Sequence, residues 1–270
     1  MKTWLITGAS RGFGLRIAQA ALDAGDRVIA TARNPQSIPL QAHPRLVVAK
    51  LDVTDEAEAR RVVADAGRID VLVNNAGFGL LGGVEESSAE EIEKLYRTNV
   101  FGLLAVTRAV LPVMRQQRSG HVINLSSVGG YRAGAGFGVY CSTKFAVEGL
   151  SEALHEELAP LGIHVTVVEP GYFRTDFLDE MSLTRAAKII PDYAETSGAT
   201  RARATQINHQ QPGDPAKLAT ALMELVKLER PPLRLALGSD TVKGIEDKNA
   251  FVARELAAHR ALSLSTDFTS

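Results

Sequence analysis

The chain has 270 residues, with Lys+Arg 30 against Asp+Glu 31, so its formal net charge at pH 7 is −1. That balance excludes the strongly basic footprint of a nucleic-acid binder and a polyanionic tail. With 45% apolar and 23% charged residues the composition is globular, which excludes disorder along the whole length. No stretch reaches the roughly 18 uninterrupted apolar residues of a membrane span, and the run Trp4-Leu5-Ile6 is far too short for a secretory signal. A soluble chain with no leader and no membrane partner is therefore expected. The one cysteine, Cys141, can close no intramolecular disulfide and belongs to no metal-ligand cluster, which predicts a small buried thiol and a reducing, cytoplasmic location. The six histidines show no metal-ligand spacing.

The first predicted strand, Trp4 to Thr7, runs into Thr7-Gly8-Ala9-Ser10-Arg11-Gly12-Phe13-Gly14, and a helical pattern follows over Leu15 to Ala24. Glycines at such a strand-to-helix turn let the backbone approach a pyrophosphate, whose charge meets the free N–H groups and positive end of the helix. A second strand, Arg27 to Thr31, ends in Thr31-Ala32-Arg33-Asn34. In dinucleotide-binding folds a carboxylate at that place holds the ribose 2′-hydroxyl. Here there is none; a 2′-phosphate would instead find the guanidinium of Arg33, with a second from Arg11 in the glycine turn. The sequence thus points to NADP(H) over NAD(H).

Further strands are predicted at Leu46 to Leu51, Val71 to Asn74, His121 to Leu125, His164 to Glu169 and Leu233 to Leu237. Helices are predicted at Glu56 to Ala66, Glu90 to Gln117, Tyr140 to Leu158 and Pro215 to Leu228. Continuous apolar strands alternating with helical spacing predict an α/β fold around a parallel sheet covered on both faces. No linker or repeat divides the chain, so one domain is expected. Residues 172–212, after Pro170-Gly171, lack a clear strand pattern and are expected to form a substrate lid; residues 243–270 form a C-terminal extension. Phe78, Leu80, Leu81, Tyr131, Phe137, Phe173, Phe177 and Met181 follow strand ends and are candidates to line an apolar cleft, while His209 lies in the lid segment.

Four polar residues are predicted near the carboxyl edge of the sheet: Asn99, Ser127, Tyr140 and Lys144. Tyr140 and Lys144 are four apart on one helix face. A tyrosine titrates near pH ~10 when free, so a neighbouring ammonium such as Lys144 would be needed to favour its ionised form at neutrality.

With these residues in their order, together with Asp52 after the third strand, Asn74-Asn75-Ala76-Gly77 after the fourth, and Pro170-Gly171 followed by Thr175, the chain resembles the short-chain dehydrogenase/reductase family, in its shorter form and its NADP(H)-preferring branch. The resemblance covers residues 1 to about 240 and implies a Rossmann-type, doubly wound sheet of seven parallel strands. It implies reversible hydride transfer between NADP(H) and a ketone or aldehyde of a mainly apolar small molecule. It assigns Tyr140 as acid/base, Ser127 as carbonyl orienter, Lys144 as ribose binder and Asn99 as support of a proton path. By the same resemblance the cofactor would be held by Gly8, Ser10, Arg11, Gly12, Phe13, Gly14, Arg33, Asp52, Val53, Asn74, Ala76, Gly77, Tyr140, Lys144, Pro170, Gly171, Phe173 and Thr175. A homodimer or homotetramer is implied, with the helices Glu90 to Gln117 and Tyr140 to Leu158 between subunits. A different class of function, a non-catalytic NADP(H)-sensing protein, would not need the proton donor.

Overall fold

Seven strands form a single all-parallel sheet in the computed structural model, which describes residues 1–268. They are β1 (Thr3–Ile6), β2 (Arg27–Ala32), β3 (Leu46–Lys50), β4 (Val71–Asn74), β6 (Gly120–Leu125), β7 (Ile163–Pro170) and β9 (Arg234–Leu237), in the spatial order 3-2-1-4-6-7-9. Each lies within a residue or two of its predicted span. The remaining two strands, β5 (Gly79–Leu81) and β8 (Leu183–Arg185), pair with each other in a small parallel ribbon outside the main sheet.

Alternation along each strand explains why the apolar runs are continuous. Trp4, Ile6, Val28, Ala30, Val71 and Val73 face one side and pack with α1 (Gly12–Asp23) and α7 (Pro215–Leu225). Leu5, Ile29, Leu72, Val122 and Val165 face the other and pack with α2 (Glu56–Ala66), α4 (Leu103–Gln117) and the end of α5 (Gly138–Leu158). Helices therefore cover both faces of one domain. Strand order reverses between β1 and β4, and a crevice opens there beyond the carboxyl ends of the strands.

The helix expected over Glu90 to Gln117 is not uniform. It consists of α3 (Ala89–Tyr96), a π-helical turn over Arg97–Gly102, and α4. The π turn carries Asn99, which is buried at 1% exposure. Residues 172–212 contain β8 and α6 (Ala199–Ile207), and their attachment is ionic as well as apolar. Glu86, buried, accepts from Arg201 of α6 at 2.6 and 3.1 Å, from Gly83 N at 2.6 Å and from Ile190 N at 2.9 Å. The last helix, α8 (Ser239–Leu264), contains most of the C-terminal extension; Thr269 and Ser270 lie outside the described residues. No helix among the described residues is long and apolar enough to cross a membrane.

The Arg201 guanidinium, with the two backbone donors, holds the Glu86 carboxyl down to about 2 from an ordinary 4.5. A depressed carboxyl pKa gives stabilisation that is full above the unfolded value and lost as pH falls through the folded one. Attachment of residues 186–201 is therefore expected to persist above about pH 5 and to loosen between 4.5 and 2. Limited pepsin digestion across that range checks this: first cuts in 186–201 should accelerate before global unfolding, and in Glu86→Gln they should already be fast at the top of the range.

Candidate active site

The crevice has a volume of about 940 Å³, at the upper end of the ~300–1,000 Å³ usual for small-molecule sites. Its floor at one end is the glycine turn. Gly8 (φ +67) and Gly12 (φ +56) hold backbone conformations that side chains disfavour, and the Thr7 hydroxyl receives Asn75 N and Ala76 N at 3.0 Å, joining the ends of β1 and β4. Gly14 permits a close approach: a Cβ there would lie 2.5 Å from Asn75 Nδ2 and nearer still to the Gly8 carbonyl oxygen. Helix α1 begins with no side-chain cap and no acidic residue in its first turn, so no side chain among the described residues occupies the donors at its positive end. These features fit a dinucleotide pyrophosphate. Phe13 packs edge-to-face on Phe173 across the crevice floor, centroids 5.4 Å apart, which gives an aromatic ring in the glycine turn a packing reason.

Gly8, Ser10, Arg11, Gly12, Phe13, Arg33, Asp52, Val53, Ala76, Gly77, Pro170, Gly171, Phe173 and Thr175 all line this one crevice, together with Ser127, Tyr140 and Lys144. Arg33 is exposed at the end of β2, and Arg11 reaches across to donate to the Met181 carbonyl at 2.8 Å. Asn74 does not line the crevice, contrary to expectation. As the last residue of β4 it points to the α4 side of the sheet, donating to Thr107 Oγ1 at 2.8 Å and Asn124 Oδ1 at 2.9 Å; the neighbouring Asn75 faces the crevice instead. Gly14 acts by packing beneath the turn and lines nothing. Among the apolar candidates Phe78, Phe137, Phe173, Phe177 and Met181 line the crevice, whereas Leu80 and Leu81 are core residues and Tyr131 turns away to hydrogen-bond Asn249. His209 pairs with Asp179 at 3.1 Å outside it.

Tyr140 and Lys144 occupy the first turns of α5, both 8% exposed. The phenol ring is held between Phe137 and Phe177, at centroid distances of 6.0 and 5.5 Å. The Lys144 ammonium lies 5.9 Å from the Tyr140 ring centroid and donates to the Leu125 carbonyl at 2.8 Å. Ser127 follows β6 and caps the tight turn over residues 128–130 through Gly129 N at 3.0 Å. Asn99 does not line the crevice. Its amide is engaged with the Phe78 backbone, receiving Phe78 N at 3.1 Å and donating to Phe78 O at 2.9 Å and Thr143 Oγ1 at 3.2 Å, so it fixes the crevice wall after Gly77.

Burial raises the Tyr140 phenol above its ordinary value, with a hydrogen bond to Ser127 opposing the rise, and burial pulls Lys144 down to about 8, with the charge of Glu148 opposing. Burial therefore favours Tyr140 as a neutral phenol in the protein alone, outweighing the Ser127 hydrogen bond. Burial also pushes the Cys141 thiol up, which leaves it inert.

Sequence patterning missed Asp240. It receives Tyr172 N at 2.7 Å, and a Cβ on Gly171 would collide with its carboxylate, so the start of α8 seats the Pro170–Tyr172 turn. The signal was local: an acidic residue in the first turn after Gly238. Among the described residues no three His, Cys, Asp or Glu side chains stand together as a metal site.

The sequence profile described as short chain dehydrogenase matches residues 2–186. A 3-ketodihydrosphingosine reductase of Bacteroides thetaiotaomicron is 39% identical over 238 residues, 87% of each chain. A short-chain dehydrogenase of Streptomyces avermitilis, solved by crystallography, is 46% identical, covers 99% of both chains and superposes with a TM-score of 0.92. The closed form of a serine dehydrogenase complexed with NADP+ is 30% identical over 87% of this chain and 94% of its own, with a TM-score of 0.75.

Proposed function

The chain belongs to the short-chain dehydrogenase family and is a nicotinamide-dependent oxidoreductase, and from that premise we propose that it is an NADPH-dependent reductase of a ketone or aldehyde carried on a mainly apolar small molecule. The observation that carries this reading is the placement of Ser127, Tyr140 and Lys144 on one wall of the crevice whose other end holds the glycine turn, Arg11 and Arg33. In this reading the turn from Gly8 to Phe13 and the start of α1 take the pyrophosphate, Asp52 and Val53 border the adenine, Asn75 to Gly77 the adjoining ribose, and Pro170 to Thr175 the nicotinamide. When bound, the reduced dinucleotide supplies a hydride to the carbonyl carbon.

The residues of the chain handle the oxygen. Tyr140, kept as a neutral phenol by burial, is in the state required of a proton donor, and delivers its proton to the oxygen as negative charge develops. The Ser127 hydroxyl donates to the same oxygen and stabilises that charge, while the Lys144 ammonium lowers the cost of the phenolate that remains. Phe78, Phe137, Phe177 and Leu178, which line the crevice, would offer the carbonyl an apolar surround. The reductase relative named above supports a keto substrate. Exposed Phe101 and Phe145, at 59 and 44%, support subunit pairing through the α4 and α5 side.

Selection of the 2′-phosphate is assigned to Arg33, joined by Arg11 when its guanidinium leaves the Met181 carbonyl. A charge-assisted hydrogen bond contributes about 1.5–3 kcal/mol, so Arg33→Ala is expected to reduce the preference for NADPH over NADH by about 10- to 100-fold. Dissociation constants for both nucleotides, measured side by side with a carbonyl panel, test this; an unchanged ratio removes Arg33 from the reading.

A further inference from the structure

The face of α5 that carries Tyr140 and Lys144 continues, at four-residue intervals, through Glu148 and Glu152. Glu148 is 5% exposed and the chemistry above does not use it. Its Oε2 accepts from Arg234 of β9, which also binds Glu152 and, at 2.6 Å, Glu169 of β7. Its Oε1 and the buried Ser126 Oγ have no partner elsewhere, and a contact from Ser126 opposes the rise that burial causes in the Glu148 carboxyl. The two lie together under the tight turn: a Cβ on Gly130 would fall 2.8 Å from Glu148 Oε1 and closer still to Ser126 Oγ. Ser126 is the residue before Ser127. Tyr131, at the end of the same turn, stacks over the Arg234 guanidinium at 5.4 Å.

Three carboxylates thus share one guanidinium, Glu148 and Glu169 buried and Glu152 more than half exposed, and Glu148 stands one helical turn from Lys144. Burying such charge is unfavourable for stability alone. We propose that Glu148 is a positioning residue whose carboxylate, anchored by Arg234, holds Lys144 in its ammonium form and fixes the Ser126–Gly130 turn that presents Ser127. This rests on Lys144 acting as the cation beside Tyr140. The charged and titratable groups facing Glu148 are Lys144 and Glu152 on its own helix, Glu169 from β7, Arg234 from β9 and Tyr131 from the turn. Burial pushes Glu148 up to about 7 and pulls Lys144 down to about 8, where the charge of Glu148 works against the loss of the lysine proton. As the carboxylate ionises, its charge opposes loss of the Lys144 proton.

The test is a ¹³C NMR titration of the Lys144 side chain in the full-length, cofactor-free protein carrying labelled lysine, with Lys144→Met for assignment. Glu148→Gln is expected to move the Lys144 inflection down by about one pH unit, and Glu148→Asp to retain the wild-type position. An unmoved inflection in Glu148→Gln overturns the proposal. In the wild type alone, the Lys144 resonance should carry a second, smaller inflection near pH 7 as Glu148 ionises; a single inflection overturns it as well, whether or not either variant folds. Neither readout involves turnover, so failure here is distinct from failure of the reductase reading. In the loaded enzyme the basic limb of the kcat/KM profile should move with the NMR inflection, whereas a purely structural role would lower Tm and leave the limb in place.

Discussion

Tyr140→Phe is expected to bind NADPH as the wild type does and to lose about 10²- to 10⁴-fold in turnover of a carbonyl substrate, the span typical for removing a general acid. The ring is 8% exposed and packed between Phe137 and Phe177, and phenylalanine fills the same volume, so the helix and the crevice wall should be preserved. Only the hydroxyl is lost. The neutral phenol that burial enforces suits reduction without further adjustment, whereas the reverse reaction needs the phenolate and should rise with pH over a wider range. Steady-state kcat and a fluorescence titration with NADPH separate the two effects. Turnover within a few-fold of wild type would mean that another group, or water, delivers the proton.

Gly14→Ala is expected to damage binding through the fold. The new Cβ would meet the Gly8 backbone and the Asn75 amide, which itself donates to the Thr7 and Gly8 carbonyls at 2.8 and 3.0 Å. Backbone on one side and a bound amide on the other cannot yield together, so the turn from Gly8 to Gly12 must shift. Overpacking of this kind costs about 1–3 kcal/mol, and a displaced turn no longer presents its N–H groups to the pyrophosphate. The variant should melt lower and show little of the Tm increase that NADPH gives the wild type. A Gly14→Ala protein that still gains Tm with NADPH as the wild type does would refute the packing argument.

The parallel sheet was legible because strands covered on both faces are apolar throughout, and Val71 to Asn74 or Arg27 to Thr31 need no partner to be recognised. The Tyr140–Lys144 pair was legible because helix geometry alone places residues four apart on one face. What was hidden depends on pairing between distant segments. Strands β5 and β8 have three residues each, too few for a period, and they exist through contact with each other. The π turn at Asn99 adds one residue per turn without changing composition. Adjacent asparagines conceal which of Asn74 and Asn75 faces the crevice until the strand register is known. The cluster of Glu148, Glu152, Glu169 and Arg234 brings together three separate elements, and no local pattern announces it.

Proton delivery by Tyr140 to a carbonyl at the expense of NADPH is the claim to which the other assignments are tied. The most direct measurement follows loss of reduced-nicotinamide absorbance against alcohol formed, with purified protein, NADPH and a panel of apolar ketones and aldehydes. The account predicts equal molar consumption of NADPH and formation of alcohol with at least one member of the panel. A protein that binds NADPH tightly yet consumes none with any carbonyl would contradict it and leave a nucleotide-binding protein without turnover.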